Sequence, residues 1–202
     1  MRPSSAKPTH DEAIAATKRW LERAVIGLNL CPFAKTVHVK RLVRYAVSSA
    51  QTSDALLDDL ERELRTLVAA KPENVDTTLL ILPYALAKFT DFADFLDLVE
   101  IALKVQGLTG VIQVASFHPQ YRFADAEADD IRNFTNRSPY PIFHLLREES
   151  LARAIQAFPN PAVIYEQNMA TLRALGLAGW LALGLDAPNA PQGVNSNPLD
   201  VD

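Results

Sequence analysis

"SDALLDDLERELRTLVAAKPENVDTTLLILP", Ser53 to Pro83, decides the fold class. Leu56, Leu60, Leu64 and Leu67 recur at three and four residues, against Asp58, Glu61, Arg62 and Arg65 on the opposite side, which is the spacing of an amphipathic helix capped by Ser53. The run "TTLLILP" is short, starts with β-branched residues and closes on Pro83, as a buried strand does. Working outward, "RLVRYAV" (Arg41 to Val47) alternates as a strand before this helix. After Pro83, Phe92, Phe95, Val99 and Leu103 mark a further amphipathic helix ending at Gly107, and "GVIQVASF" (Gly110 to Phe117) makes the third strand. "PIFHLLR" (Pro141 to Arg147) reads as a fourth strand, with the first turn of a helix as its alternative. Strands separated by helices of this length need crossover connections. The expectation is therefore an α/β fold: a single domain, with a largely parallel or mixed sheet of three to four strands packed with helices.

Helices extend the pattern at both ends. Thr9 and Glu12 form a capping box, after which Ile14, Leu21, Val25 and Leu28 lie on one stripe, with Gly27 as a left-handed stop. Additional C-terminal helices are "EESLARAIQAF" and one that starts at Asn160 and Pro161 and runs towards Leu183. Residues 1–8 read as a flexible N-terminus and 9–185 as the domain. The stretch 186–202, rich in Pro, Asn and Asp, reads as a disordered tail.

Composition narrows the classes. At 202 residues and 49% hydrophobic, the chain can bury one substantial core. A formal charge of −4 gives no overall attraction to polyphosphate, so no nucleic-acid partner is expected. No run approaches the roughly 20 apolar residues that span a bilayer, so no membrane partner is expected either. A single cysteine excludes an internal disulfide framework and fits a reducing, cytoplasmic setting.

Cys31 is the first candidate for chemistry. It stands before Pro32 a few residues after Gly27, where it can cap a short helix with proline at the first position. Unpaired amides and the helix dipole there would favour a thiolate. The alternative is that Cys31 packs as a small hydrophobe. His118 follows the third strand at its carboxyl end, where ligands of open parallel sheets bind, and would be a general base or a loop anchor. Arg137 carries a fork suited to carboxylate or phosphate, or else pairs with the acidic run "DAEADD".

Between Pro119 and Pro141 neither helical nor strand periodicity is visible, yet Tyr121, Phe123, Ile131, Phe134 and Tyr140 demand packing. Asn133, Asn136, Ser138, Tyr121, Phe123 and Tyr140 are therefore candidate ligand contacts, and Asn136 and Ser138 could equally be turn chemistry. His144 shares a strand face with Ile142 and Leu146, which suits a hydrogen-bonded core histidine as well as a ligand contact. Asn168, on a stripe with Leu172 and Leu175, is a buried amide in need of a partner, expected in the long loop. Cys31, His118 and His144 could supply an open metal position, but none has the close spacing of a metal motif, so no metal is expected. Glycine-rich phosphate loops, G-x-S-x-G and H-E-x-x-H do not occur.

Four segments, "WLERAVIGLNLCPFA", "VASFHPQYRF", "NRSPYPIFHLLRE" and "ATLRALG", carry a resemblance to a bacterial family catalogued as domain of unknown function 1415. The resemblance runs from about Trp20 to Trp180 and implies one complete, cytoplasmic domain. It brings no catalytic role, and the cofactor is unknown. The residues themselves support three readings: an enzyme acting on a small polar or anionic metabolite through Cys31, His118 and Arg137; a non-catalytic module that binds a ligand or partner; and a metal-dependent enzyme.

Overall fold

A computed structural model describes residues 7–156 and 161–185. Its centre is a four-stranded mixed sheet of β1 (Val43–Val47), β2 (Thr77–Ile81), β3 (Ile112–Phe117) and β4 (Ile142–Arg147), in the spatial order β1-β2-β4-β3. β1 and β2 are parallel, and β4 runs antiparallel to both its neighbours. "PIFHLLR" is thus a strand, inserted into the place that β3 left open beside β2.

Helix α1 (His10–Trp20) precedes the sheet, and α2 (Ala34–Val39) is the short helix just before β1. Helix α3 (Ser53–Ala69) links β1 to β2, and α4 (Phe89–Val105) links β2 to β3. Both links join parallel strands while stepping in the same direction across the sheet, so right-handed crossovers put both helices on one face. There Leu56, Leu60, Leu64 and Leu67 of α3 and Phe92, Phe95 and Val99 of α4 bury against Leu80, Phe143 and Leu145. The opposite face is left to the chain ends. Trp20 of α1, and Met169 and Leu172 of α6 (Pro161–Ala182), pack with Leu79, Ile81 and Ile142.

Several local expectations shift in detail. Thr52, one residue before Ser53, is the cap of α3. After Trp20 the first helix continues as a π-helical segment, Leu21–Ile26, up to Gly27. Gly27 keeps right-handed angles (φ −63°), and the left-handed residue is Asn29 (φ 54°). Glycine is needed at 27 for space, since a Cβ there would stand 2.3 Å from the Arg23 carbonyl oxygen. The long segment before β4 holds a 3₁₀ helix, Ile131–Asn136, that packs on α6 through a 5.1 Å edge-to-face contact of Phe134 with Trp180. Asn168 does bond backbone, but its partner is the Leu30 carbonyl (2.9 Å) beside Cys31. Pro8 is buried and its carbonyl accepts from the Tyr84 hydroxyl (2.6 Å), whereas Asn160, residues 1–6 and the expected tail 186–202 lie outside the described residues.

Arg147, the last residue of β4, ties the sheet to α3. It donates to the carbonyls of Leu67 (2.5 Å), Ala70 (2.6 Å) and Val75 (3.2 Å), satisfying the end of that helix. Arg147→Ala leaves these acceptors without their charged donor and is expected to cost about 2–4 kcal/mol, read as a lower urea midpoint at unchanged slope.

Candidate functional site

A cavity of about 630 Å³ opens on the sheet face covered by α1. Its floor comes from alternate positions of the strands: Thr77 and Leu79 on β2, His144 and Leu146 on β4, and Ala115 and Phe117 on β3. The register lines up Leu79, His144 and Ala115 in one row, so the imidazole sits mid-sheet between an aliphatic and a methyl group. The far wall is Trp20 with Leu21 and Val25 of the π-helical segment. The mouth is flanked by α2 and by α5 (Glu148–Gln156), two short helices without a fully buried residue. Small side chains, Ala34 and Ala115, leave the space that larger ones would fill.

Polar groups inside are few. Thr77 donates its hydroxyl proton to the Leu145 carbonyl (2.6 Å), so at 2.7 Å it accepts from Nε2–H of His144. That fixes the tautomer and leaves Nδ1 as a bare acceptor with no partner among the described residues. Burial pushes the His144 pKa down to about 4, so the ring is neutral at pH 7. The accessible surface it keeps belongs to the cavity.

Cys31 lines the same cavity and is half-buried. Its residue opens a turn rather than the helix itself: α2 starts at Ala34, whose amide donates to the Cys31 carbonyl (3.2 Å). Burial pushes the thiol pKa up, and hydrogen bonds from the Phe33 and Ala34 amides oppose the shift without overcoming it. The sulfur is therefore a neutral thiol at pH 7, not the thiolate that the capping geometry suggested.

The other two members of the expected constellation lie elsewhere. His118 is fully buried beyond β3, its ring between Phe89 (5.4 Å) and Phe92 (5.1 Å) on the α4 side of the sheet. Nδ1 accepts from the Gln120 amide (2.9 Å) and Nε2–H donates to the Leu86 carbonyl (3.0 Å), which leaves neither nitrogen free. Burial also lowers its pKa. Arg137 stacks on Phe134 (4.1 Å) and donates to the Ala128 carbonyl (2.7 Å). Its contact with "DAEADD" is thus to backbone, and it is Arg132 that pairs with Asp125 (3.0 Å) and Asp130 (2.8 Å).

The long segment spends its polar groups on itself. Asn133 accepts from the Phe123 amide (3.0 Å) and donates to the Glu127 carbonyl (2.7 Å). Asn136 donates to the Ser116 carbonyl (3.1 Å), and Ser138 to the Tyr140 carbonyl (2.6 Å). Tyr121 packs between Phe89 (5.3 Å) and Phe123 (5.0 Å), and the buried Tyr140 hydroxyl has no partner. None of these side chains lines the cavity. The carboxyl end of β3 is thereby plugged, and the open space lies towards the amino ends of β1 and β2 instead. Among the described residues no three His, Cys, Asp or Glu side chains converge as a metal centre requires, and His118 stands apart from Cys31 and His144.

Sequence reasoning missed Thr77, Trp20, Phe117 and Ala115. Only Thr77 carried a signal, as one of two hydroxyls opening an otherwise apolar buried strand.

The model of a family described as "Protein of unknown function (DUF1415)" matches residues 12–182, and the chain belongs to that family. No curated protein and no solved structure matches it. Among the described residues no helix is long and apolar enough to cross a membrane.

Two measurements check the electrostatics. Alkylation of Cys31 is expected to keep accelerating above pH 9, and a plateau reached below pH 8 would contradict the raised thiol pKa. For His144 the folded value, about 4, lies below the unfolded value near 6.5, so the unfolded chain binds more protons between them. Its stabilising contribution is complete above pH 6.5 and is lost as pH falls through 4. Urea unfolding at stepped pH should show wild type losing on the order of 3 kcal/mol more than His144→Gln across that window.

Proposed function

We propose that this member of the family binds a small, largely apolar molecule in the cavity between the sheet and α1, α2 and α5. The observation that carries the reading is an apolar cavity with the Nδ1 acceptor of a half-buried His144 at its floor. A bound molecule that donates to it gains a hydrogen bond worth about 1 kcal/mol. The volume, about 630 Å³, falls in the range of small-molecule sites, and the mix of apolar walls with a few convergent polar groups is what such sites are made of.

Cys31 and His144 are the two residues of the sequence reading that this proposal keeps as ligand contacts. The catalytic version, with Cys31 as nucleophile, His118 as base and Arg137 as anion clamp, lacks a shared cavity and a charged thiolate. His118, Arg137 and the polar residues of the long loop are assigned to holding the fold. A cytoplasmic setting belongs to the same proposal, on the grounds of one unpaired cysteine, and a bacterial one on the family resemblance alone.

A thermal-shift screen of neutral apolar compounds tests it, with wild type beside Ala115→Phe, whose ring fills the cavity from β3. A ligand present at a hundred times its Kd adds about 2.7 kcal/mol, which for a domain of this size is a rise of roughly 5–10 °C. The expected result is a rise in wild type that is absent in the variant. Equal rises in both proteins would place binding elsewhere and defeat the proposal.

A further inference from the structure

The cavity's lining also constrains the chemistry of what fills it. Along one wall three rings follow one another: Trp20 meets Phe117 edge-on at 5.1 Å, and Phe117 lies 6.2 Å from the His144 ring at an angle of 44°. Phe33 also lines the cavity, from the turn before α2. Aromatic groups set at such angles offer both faces and edges to a further ring, an arrangement that favours a planar aromatic over a flexible chain.

The second constraint is the sense of the hydrogen bond. With its proton on Nε2, His144 presents only a lone pair at Nδ1, so the ligand must donate.

From these two observations we infer that the ligand is an aromatic molecule bearing one O–H or N–H, its ring against the Trp20–Phe117 wall and its donor on Nδ1 of His144. This rests on the binding proposal above and adds the ligand class to it. Phenol- and indole-type compounds satisfy both conditions, and their ethers or N-alkyl analogues fail the second.

Calorimetric titration of the full chain at pH 7 with three probes decides the matter: 2-naphthol, 2-methoxynaphthalene and 1-octanol. The expected order has 2-naphthol about tenfold tighter than 2-methoxynaphthalene and at least tenfold tighter than 1-octanol, the first ratio being that of one hydrogen bond. In His144→Phe, which keeps a ring and loses the acceptor, the preference for naphthol over its methyl ether should fall to near one. Equal affinity of those two in wild type, a retained preference in the variant, or tightest binding of the octanol overturns the ligand class while leaving a binding cavity. Absence of binding by all three overturns both. The ranking in wild type decides alone if the variant does not fold.

Discussion

The handedness of two crossover connections governs this molecule. β1 to β2 and β2 to β3 both step the same way across the sheet, so α3 and α4 must share a face, and they bury it completely. No crossover remains to cover the other face. The chain covers it with its ends, α1 with its π-helical extension and α6, which are not constrained to lie over every strand. Where their cover stops, over Thr77, His144, Leu146 and Ala115, the sheet is left to the short helices α2 and α5, and the cavity follows. The same step leaves a strand's width between β2 and β3, which β4 fills in the antiparallel sense.

Polarity is distributed accordingly. On the closed face a buried carboxylate is paired: Glu63 receives two hydrogen bonds from Arg44 (2.8 and 3.1 Å). On the open face one histidine is half-satisfied. Thr77 fixes its tautomer, desolvation keeps it neutral, and its remaining nitrogen faces a space whose other walls have little to offer it. A core histidine with both nitrogens engaged is also present in the chain, at His118, and the contrast between the two is what marks His144 as the one with spare valence.

Much of the fold was legible in the residues. The four strands, the leucine stripe of α3, the left-handed end of α4 at Gly107 (φ 68°) and the capping box at Thr9 rest on local periodicity and turn chemistry, which a sequence displays directly. The site was legible only in part. Cys31 and His144 were visible as candidates, but His118 and Arg137 looked more promising because their types and their place after a parallel strand matched a general rule for ligand sites. That rule assumes an open carboxyl end. Here the segment from Pro119 to Pro141 closes that end with its own hydrogen bonds, a property that depends on contacts such as Asn133 with Glu127 and Phe134 with Trp180.

By itself the sequence determined which segments become strands and helices, that they make one α/β domain, and that Cys31 stands alone without a disulfide partner. Periodicity, caps and composition act within a few residues, so a chain read in one dimension contains them. Tertiary structure alone decided which face each strand's alternate residues meet, and therefore that His144 and Cys31 share a cavity while His118 lies across the sheet. That choice belongs to crossover handedness and strand order, which bring residues more than a hundred positions apart into one wall and leave no trace in any local pattern.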